Sequence, residues 1–484
     1  MRETTQGGIP MNDPYSGTIA AISTGMSNSG IGIVRMTGPD SFAIIDKVYQ
    51  GTREKKLSSQ DSHTIHYGYI CDQGEVIDQV LVMLMRGPHT YTGEDTVEVN
   101  CHGGVYVVKR VLETILAAGA RPAQPGEFTK RAFLNGKLDL SQAEAVGDLI
   151  ASQNEYARQS SVSQLRGSVK KKISEIRNKI IYQTAFIESA LDDPEHISVD
   201  HYGEELLPII EELSGEIRHL LSTCQDGRII KEGIQTVILG KPNVGKSSLL
   251  NVLTGQERAI VTDIAGTTRD ILEEHINLGG ISLNVLDTAG IRKTEDVVEK
   301  IGVDKAREYA SRADLIIAVI DASTPLDEND LEILEMTCDK PSVILLNKSD
   351  LEMVVTEKDV ENAIYELNPA RNKNVSTSKT PVIEISAKKL LGIDEFESII
   401  KDLFFAGNLS FNNEIYITNL RQKTALEDAY HSLLKVKESI ENGMPEDFYS
   451  IDLMAAYESL GSITGETAGE DLVNEIFSKF CMGK

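Results

Sequence analysis

The chain has 484 residues, too many for a single hydrophobic core, and this length predicts about three domains. It carries 74 acidic against 48 basic residues, and the resulting formal charge of −26 disfavours a protein that grips nucleic acid through its own basic surface. The five cysteines are scattered, which predicts that the protein has no disulfide framework. No apolar run reaches the roughly 18 residues of a membrane span, and no signal peptide is recognised, so a cytoplasmic protein without a membrane anchor is predicted.

The first region, residues 1–130, mixes strand and helix patterns. Ile31–Met36 and Val80–Met85 have the composition of strands, and Val97–Asn100 alternates between apolar and polar residues. Val105–Ala118 is apolar at helical spacing. This region is therefore predicted to be an α+β domain.

From residue 131 the apolar period becomes helical. Ser141 and Glu144 are spaced as a capping box at a helix start. Helical segments thus occupy residues 131–233 and 406–484, on both sides of residues 234–405, and we expect them to form one helical domain with the middle region inserted. The apolar stripes are at Ile173, Ile176, Ile180, Ile187 and Leu191, at Leu206, Ile210, Leu213, Ile217, Leu220 and Leu221, and at Leu426, Ala429, Leu433, Val436 and Ile440.

The inserted region opens with Gly240–Ser247, which reads Gly-Lys-Pro-Asn-Val-Gly-Lys-Ser and fits the pattern G-x-x-x-x-G-K-[ST]. The two glycines let backbone N–H groups turn toward phosphate oxygens, Lys246 reaches the β- and γ-phosphates, and the Ser247 hydroxyl binds Mg²⁺. An apolar strand precedes this phosphate loop and a helix follows it, so the helix N-terminus faces the phosphates. A P-loop nucleotide-binding α/β domain is predicted.

Later motifs select guanine and complete the site. Asn347-Lys348-Ser349-Asp350 follows an apolar strand, and the Asp350 carboxylate can accept hydrogen bonds from guanine N1–H and its amino group, donors that adenine lacks. Asp287–Gly290 matches D-x-x-G, Thr268 fits a switch threonine that binds Mg²⁺, and Ser386–Lys388 fits a base-contacting loop. The residues expected to contact GTP or GDP are Asn243, Val244, Gly245, Lys246, Ser247, Ser248, Thr262, Asp263, Ile264, Ala265, Gly266, Thr267, Thr268, Asp287, Thr288, Ala289, Gly290, Asn347, Lys348, Asp350, Ser386, Ala387 and Lys388.

One position departs from many GTPases, in which a glutamine after D-x-x-G orients the attacking water. Here the position holds Ile291, whose apolar side chain cannot orient water. Another group must therefore position the water and stabilise the developing charge.

The chain ends Phe480-Cys481-Met482-Gly483-Lys484 and also contains His102-Gly103-Gly104, Pro125–Phe128 and the long string Arg131–Leu140. With a GTPase inserted between helical segments, these strings resemble the MnmE (TrmE) family of tRNA-modification GTPases over nearly the whole chain. Small departures are Met482 in the tail and the turn Gly25–Gly30.

The resemblance implies a homodimer formed through the N-terminal domain, which would bind a formyl- or methylene-tetrahydrofolate one-carbon donor. Matching positions are Arg35, Glu98 and Lys137, with Lys484 nearby. Basic side chains can hold folate carboxylates, and Glu98 can bond the pterin ring. Without the resemblance, the residues favour structural ion pairs. Cys481 is either a nucleophile or acid near the folate or a core residue.

For the GTPase, the resemblance implies K⁺ bound by Asn243, Thr262, Ile264 and Thr267, and a water oriented by Glu299. From the residues alone, Glu299 is equally a solvated carboxylate on a helix face. The implied partner is the flavoprotein MnmG, with which the family places an aminomethyl-type group on the wobble uridine of certain tRNAs.

Two other functions stay open. A ribosome-assembly or translation GTPase would share the nucleotide motifs, although the acidic balance disfavours its RNA-binding module. A folate-dependent methyltransferase with a regulatory GTP site would share the folate residues.

Overall fold

The computed structural model describes residues 17–51, 55–196, 198, 201–256, 274–286, 302–338, 340–367, 380–405, 415–467, 469–480 and 483. The chain divides into two compact units. The first unit comprises residues 1–147, 164–203 and 438–484, and the second comprises residues 148–163 and 204–437. No helix among the described residues combines the length and apolar character needed to cross a membrane.

A seven-stranded sheet forms the α+β part of the first unit. Its order is β3-β4-β5-β6-β2-β1-β7, and neighbours are antiparallel except for the parallel pair β1–β7. The strands are β1 (Ile19–Ile22), β2 (Ile31–Thr37), β3 (Tyr49–Gly51), β4 (Thr64–Asp72), β5 (Glu75–Met85), β6 (Thr96–His102) and β7 (Arg121–Pro122).

Two helices, α1 (Ser41–Val48) and α2 (Val105–Ala117), pack on one face of this sheet. Alternation in β2 and β5 sends Val34 and Val82 into the core beneath these helices. The opposite side chains, including Tyr67 of β4, point to the other face, which is called the open face below. The expected strands and helix of the first region are confirmed.

The first unit also contains helices that pack by their apolar stripes. They are α3 (Glu127–Leu134), most of α4 (Leu140–Ala151), α6 (Ser168–Asp192), α15 (Glu446–Thr464) and α16 (Glu470–Ser478). The long helix α6 packs against α15. Four of the five predicted stripe residues of α6 are buried, but Leu191 lies exposed in the last turn, where the stripe has already left the core.

The predicted capping box of α4 is wrong by two residues. The helix starts at Leu140, and Asp139 precedes it as the capping residue. The Asp139 carboxylate accepts a hydrogen bond from the Gln142 N–H at 3.0 Å, and the Gln142 side-chain oxygen accepts one from the Asp139 N–H at 3.0 Å. Aspartate caps a helix as well as serine does, so the earlier Asp/Gln pair takes the role assigned to Ser141 and Glu144.

A six-stranded sheet lies at the centre of the second unit, in the order β13-β12-β11-β8-β10-β9. All neighbours are parallel except the β9–β10 hairpin. The strands are β8 (Ile234–Leu239), β9 (Glu274–Leu278), β10 (Ile281–Val285), β11 (Leu315–Asp321), β12 (Ser342–Asn347) and β13 (Val382–Glu384).

The remaining helices lie wholly or mostly in this unit. They are α5 (Glu155–Leu165), α7 (Tyr202–Ser222), α8 (Cys224–Glu232), α9 (Lys246–Gln256), α10 (Gly302–Arg312), α11 (Glu328–Met336), α12 (Glu357–Leu367), α13 (Ile393–Phe405) and α14 (Leu420–Glu441). In the sheet order, β8 has β10 on one side and β11 on the other, so the connections leave β8 in both directions. Open α/β sheets bind ligands beyond the carboxyl ends of the strands at such a reversal. The molecule is thus a multidomain protein with an α+β N-terminal part, packed helices and an α/β sheet whose first strand, β8, leads into the phosphate loop.

Candidate nucleotide-binding site

The phosphate loop lies between the carboxyl end of β8 and the first residue of α9. Gly245 has φ +103°, and a Cβ atom at this position would collide with Nδ2 of Asn347. Asn243 has φ +61°, a left-handed conformation that asparagine adopts more readily than most residues. The local sequence therefore permits the tight curl that aims backbone N–H groups at a phosphate.

Lys246 is drawn back into the loop that it follows. Its Nζ donates hydrogen bonds to the carbonyl oxygens of Gly240 at 2.6 Å and Lys241 at 2.7 Å. Burial lowers the pKa of Lys246, because a desolvated ammonium is costly. A phosphate oxygen would provide the negative charge that favours the protonated form.

A second lysine of the loop is held by the capping box of α11. The ammonium of Lys241 lies 2.6 Å from the buried Asp330 carboxylate and 2.8 Å from that of Asp327. Asp327 and Asp330 also cap the helix through the reciprocal bonds of a capping box. Lys241 therefore anchors the loop to α11, whereas Lys246 is the lysine available to a ligand.

Asn347 joins three motifs at the carboxyl edge of the sheet. It is buried at the end of β12, and its Nδ2 donates to the Val244 carbonyl in the phosphate loop at 2.8 Å. Its Oδ1 accepts from the Ala387 N–H at 3.1 Å. One amide side chain thus fixes the phosphate loop against the loop that contains Ser386 and Ala387.

Asp350 stands at the same edge with its carboxylate ordered. The Ser386 hydroxyl donates to Asp350 Oδ1 at 2.8 Å, and this hydrogen bond lowers the pKa of Asp350. An ionised carboxylate accepts hydrogen bonds only, which is what a reader of guanine N–H groups requires. Lys388 follows as an exposed residue.

Sequence motifs did not identify Asp321, which lies at the end of β11 directly opposite Asn347 in the parallel register. Its Oδ2 lies 2.5 Å from Nζ of Lys348, and its Oδ1 accepts bonds from the N–H and hydroxyl of Ser323. Burial alone would raise the pKa of Asp321, but the bonds from Lys348 and Ser323 outweigh it and the pKa is lowered. The available signal was its position: an acidic residue closing a fully apolar strand next to the strand that carries Asn347.

Ser247 and Ser248 occupy the first turn of α9 and are exposed. Several other predicted nucleotide and cation residues lie outside the described residues. The residues outside are Thr262, Asp263, Ile264, Ala265, Gly266, Thr267, Thr268, Asp287, Thr288, Ala289, Gly290, Ile291 and Glu299.

In the first unit, the structure brings Arg35 and Glu98 together on the open face. They are cross-strand partners of β2 and β6, and Nε of Arg35 lies 2.7 Å from Oε1 of Glu98. The Arg35 guanidinium lies 5.9 Å from the Tyr91 ring centroid and 5.8 Å from that of Phe128. Both partners are mostly buried, so the pair is an ordered polar group beside aromatic surface.

Lys137 contacts the loop that carries Tyr91, whose ring lies beside Arg35. Its Nζ donates to the Pro88 carbonyl at 3.0 Å, and its stem packs near Gly93, at the two ends of the loop that carries Tyr91. Cys481 and Lys484 lie outside the described residues. Gly483 between them packs against Ile22 at the end of β1, and its carbonyl accepts a hydrogen bond from the Ser23 hydroxyl at 3.1 Å.

Comparison with known proteins gives matches over nearly the whole chain. Residues 18–137 match the family described as GTP-binding protein TrmE N-terminus, and residues 140–481 match the MnmE helical domain. Proteins named tRNA modification GTPase MnmE are 56% identical in Lachnoclostridium phytofermentans, 49% in Acetivibrio thermocellus and 46% in Thermoanaerobacter pseudethanolicus. Each alignment covers 96% of this chain and 99% of the relative. The chain therefore belongs to the MnmE family of tRNA modification GTPases and is a GTP-hydrolysing enzyme.

Proposed function

We propose that this protein is a K⁺-activated GTPase that, with a flavoprotein partner of the MnmG type, uses a one-carbon unit from formyl- or methylene-tetrahydrofolate to modify the wobble uridine of tRNA at C5. The observation that carries the GTPase part is the Asn347 bridge. It ties the phosphate loop to the Ser386 loop, so the two ends of a guanine nucleotide would meet parts of one fixed edge.

Different residues would contact different parts of the bound GTP and the attacking water. Lys246 would exchange its two carbonyl partners for phosphate oxygens, a charge-assisted contact that strengthens as charge develops there. Asp350 would accept the guanine N–H groups. Glu299 is proposed to orient the attacking water through another water, in place of the glutamine that Ile291 replaces.

The donor chemistry fits two hard cations. Mg²⁺ favours hydroxyl and phosphate oxygens, and Ser247 and Thr268 would supply hydroxyl ligands. K⁺ would be held by Asn243, Thr262, Ile264 and Thr267. Asn243 supports this proposal because it stands exposed on the loop in a left-handed turn. A monovalent cation there would supply positive charge beside the phosphates.

The potassium proposal has a direct test. Hydrolysis is measured in KCl and in NaCl at equal ionic strength, with GTP binding measured in parallel. We expect much faster turnover in K⁺ with similar affinity in both salts. Equal turnover in the two salts would remove the cation from the proposal.

The open face supports both the folate and the homodimer proposals. Register places Ile65 opposite Met83 and Tyr67 opposite Leu81, so these side chains share the face that holds Arg35 and Glu98. Ile65, Tyr67 and Leu81 are about half exposed, at 60%, 48% and 47%. Neighbouring apolar residues on one sheet face are typical of an interaction surface. A second copy packed there would lie close to the Arg35–Glu98 pair. Arg35 and Glu98 are proposed to bind the folate together with Lys137 and Lys484.

The proposed tRNA substrate and flavoprotein partner are supported by the family membership and by the net charge of the chain. A chain of net charge −26 is a poor RNA binder by itself, so a partner that presents the tRNA fits its composition. GTP hydrolysis would time the step, the flavin would carry out the redox chemistry, and Cys481 is proposed to act near the folate.

The deciding experiment is mass spectrometry of tRNA nucleosides from a deletion strain, from the strain complemented with this chain, and from one complemented with Lys246→Met. We expect the C5-modified wobble uridine to disappear on deletion and to return only with the intact chain. Unchanged wobble uridines would contradict the proposal and return attention to a ribosome-associated GTPase, whose loss would instead change the subunit profile.

A further inference from the structure

Lys348 is held in a costly backbone conformation between two residues of the guanine-reading motif. Its φ is +68°, which a residue with a side chain adopts only when its surroundings enforce it. Asn347 before it is fixed to the phosphate loop, and Asp350 after it is fixed by Ser386. The side chain of Lys348 therefore leaves the motif in one defined direction.

The far end of that side chain is fixed as well. Its ammonium lies 2.5 Å from Asp321 Oδ2, and the other oxygen of Asp321 is occupied by the N–H of Ser323 at 3.0 Å and its hydroxyl at 2.6 Å. Asp321 is itself only 8% exposed at the end of β11, in register with Asn347. A buried carboxylate whose two oxygens both have polar partners, on a central strand of the sheet, is a rigid anchor.

The charge of Lys348 is thus satisfied within the protein, which leaves its four-carbon stem as the part available to a ligand. Lysine stems form apolar surface while their ammonium groups remain bound elsewhere. A free lysine loses much rotamer entropy when ordered, and an anchored one has lost it before the ligand arrives.

We propose that Asp321 is a positioning residue for nucleotide binding, which holds Lys348 so that its stem forms a preordered wall against the bound guanine nucleotide. The inference deepens the proposed function and rests on it, because it takes the Asn347–Asp350 motif as the base-binding element. It adds a residue that no nucleotide motif includes. Asp321 would touch Lys348, and Lys348 would touch the ligand.

The test compares two isosteric substitutions at opposite ends of one strand. Asp321→Asn retains the oxygen that Ser323 uses and puts an NH₂ group against the Lys348 ammonium. Asp314→Asn is the control: Asp314 precedes β11 at its other end and pairs with Arg228 at 2.7 Å, far along the strand from the motifs. Each variant loses one ion pair at one end of β11, so a loss of strand stability alone would affect them alike.

We expect Asp321→Asn to raise the Kd for GDP and the KM for GTP about tenfold, a change of about 1.4 kcal/mol, with little change in kcat at saturating GTP. Asp314→Asn should leave Kd, KM and kcat near their wild-type values. Equal nucleotide affinity in wild type and Asp321→Asn, or equal losses in both variants, would overturn the inference.

A double-mutant cycle with Lys348→Met separates positioning from a general effect. If Asp321 acts through Lys348, Asp321→Asn should weaken GDP binding about tenfold in the wild-type background and less than about twofold when Met replaces Lys348. The same loss in both backgrounds would show that Asp321 does not act through Lys348. A wild-type chain that binds no guanine nucleotide would instead contradict the proposed function itself.

Discussion

The nucleotide edge of the second unit and the open face of the first unit reach their geometry by different routes. At the nucleotide edge, polar residues come from loops that directly follow parallel strands, and Asn347 connects these loops. On the open face, Arg35 and Glu98 are 63 residues apart and meet because two antiparallel strands share a register. One site is organised by strand ends and the other by cross-strand pairing.

The difference determines how each site tolerates change. At the nucleotide edge, Lys246, Lys348 and Asp350 are each held by a protein partner, as Asp350 is by Ser386. On the open face, Arg35 and Glu98 hold each other, so a ligand would have to share or replace that pair. Substitutions can separate ligand contact from structural support at the first site more readily than at the second.

The largest expected effect is at Lys246. Lys246→Met removes the ammonium proposed for the phosphates, and we expect kcat/KM for GTP to fall at least about 100-fold, since charge-assisted hydrogen bonds contribute about 1.5–3 kcal/mol each. Lys241→Met is the matched control in the same loop. It breaks the pair with buried Asp330 and should lower the thermal unfolding temperature while retaining most of kcat at saturating GTP. Steady-state hydrolysis and thermal unfolding measure both, and a larger loss of kcat at Lys241 would reverse the roles of the two lysines.

The nucleotide motifs were readable in the sequence because each occupies a few consecutive residues. Their shared edge follows from parallel strands, whose carboxyl ends meet on one side of the sheet. Asp321 was not found because its partner Lys348 lies 27 residues away and no short pattern links them.

The open face required more than local pattern. Alternation in Val97–Asn100 correctly predicted a strand, and in the structure Glu98 lies on the face opposite the buried Val97 and Val99. It could not show that β6 pairs with β2, because register depends on the whole sheet. Only the family resemblance connected Arg35 with Glu98. The α4 cap shows a similar limit on a smaller scale, since two overlapping four-residue patterns fit the sequence and the structure uses the earlier one.

A smaller effect is expected on the open face. Arg35→Gln removes one side of the Arg35–Glu98 pair, and we expect the Kd for 5-formyltetrahydrofolate to rise about tenfold, as for loss of one charged hydrogen bond. Arg110→Gln breaks the more exposed pair with Asp72, at 3.3 Å, and serves as control. Calorimetric titration measures binding, and thermal unfolding measures stability. Reduced stability with unchanged folate affinity would make the pair structural.

The smallest expected effect is the pH dependence of stability at helix α3, whose Phe128 lies beside Arg35. Glu127 in α3 is buried beside Arg121 and Arg131, and it accepts a hydrogen bond from the Gln124 N–H at 2.9 Å. Burial alone would raise the pKa of Glu127, but the bonds from Arg121 and Gln124 and the charge of Arg131 hold it below its ordinary value of 4.5. A lowered carboxyl pKa stabilises the fold above the unfolded-state value, and this contribution is lost as pH falls through the folded-state pKa.

The first unit should therefore lose stability as the pH falls below about 4.5, the ordinary glutamate pKa, because Glu127 stabilises the fold only while it is ionised. Hydrogen–deuterium exchange of α3 at pH 5.5, 4.5 and 3.5, corrected for intrinsic exchange rates, measures the change. Glu127→Gln should flatten this dependence, because glutamine does not titrate, whereas Glu113→Gln in the exposed pair with Arg110 should leave it intact. An unchanged slope in Glu127→Gln would mean that other carboxyls of the unit govern its acid response, and that Arg121 and Arg131 hold α3 without help from the ionised glutamate.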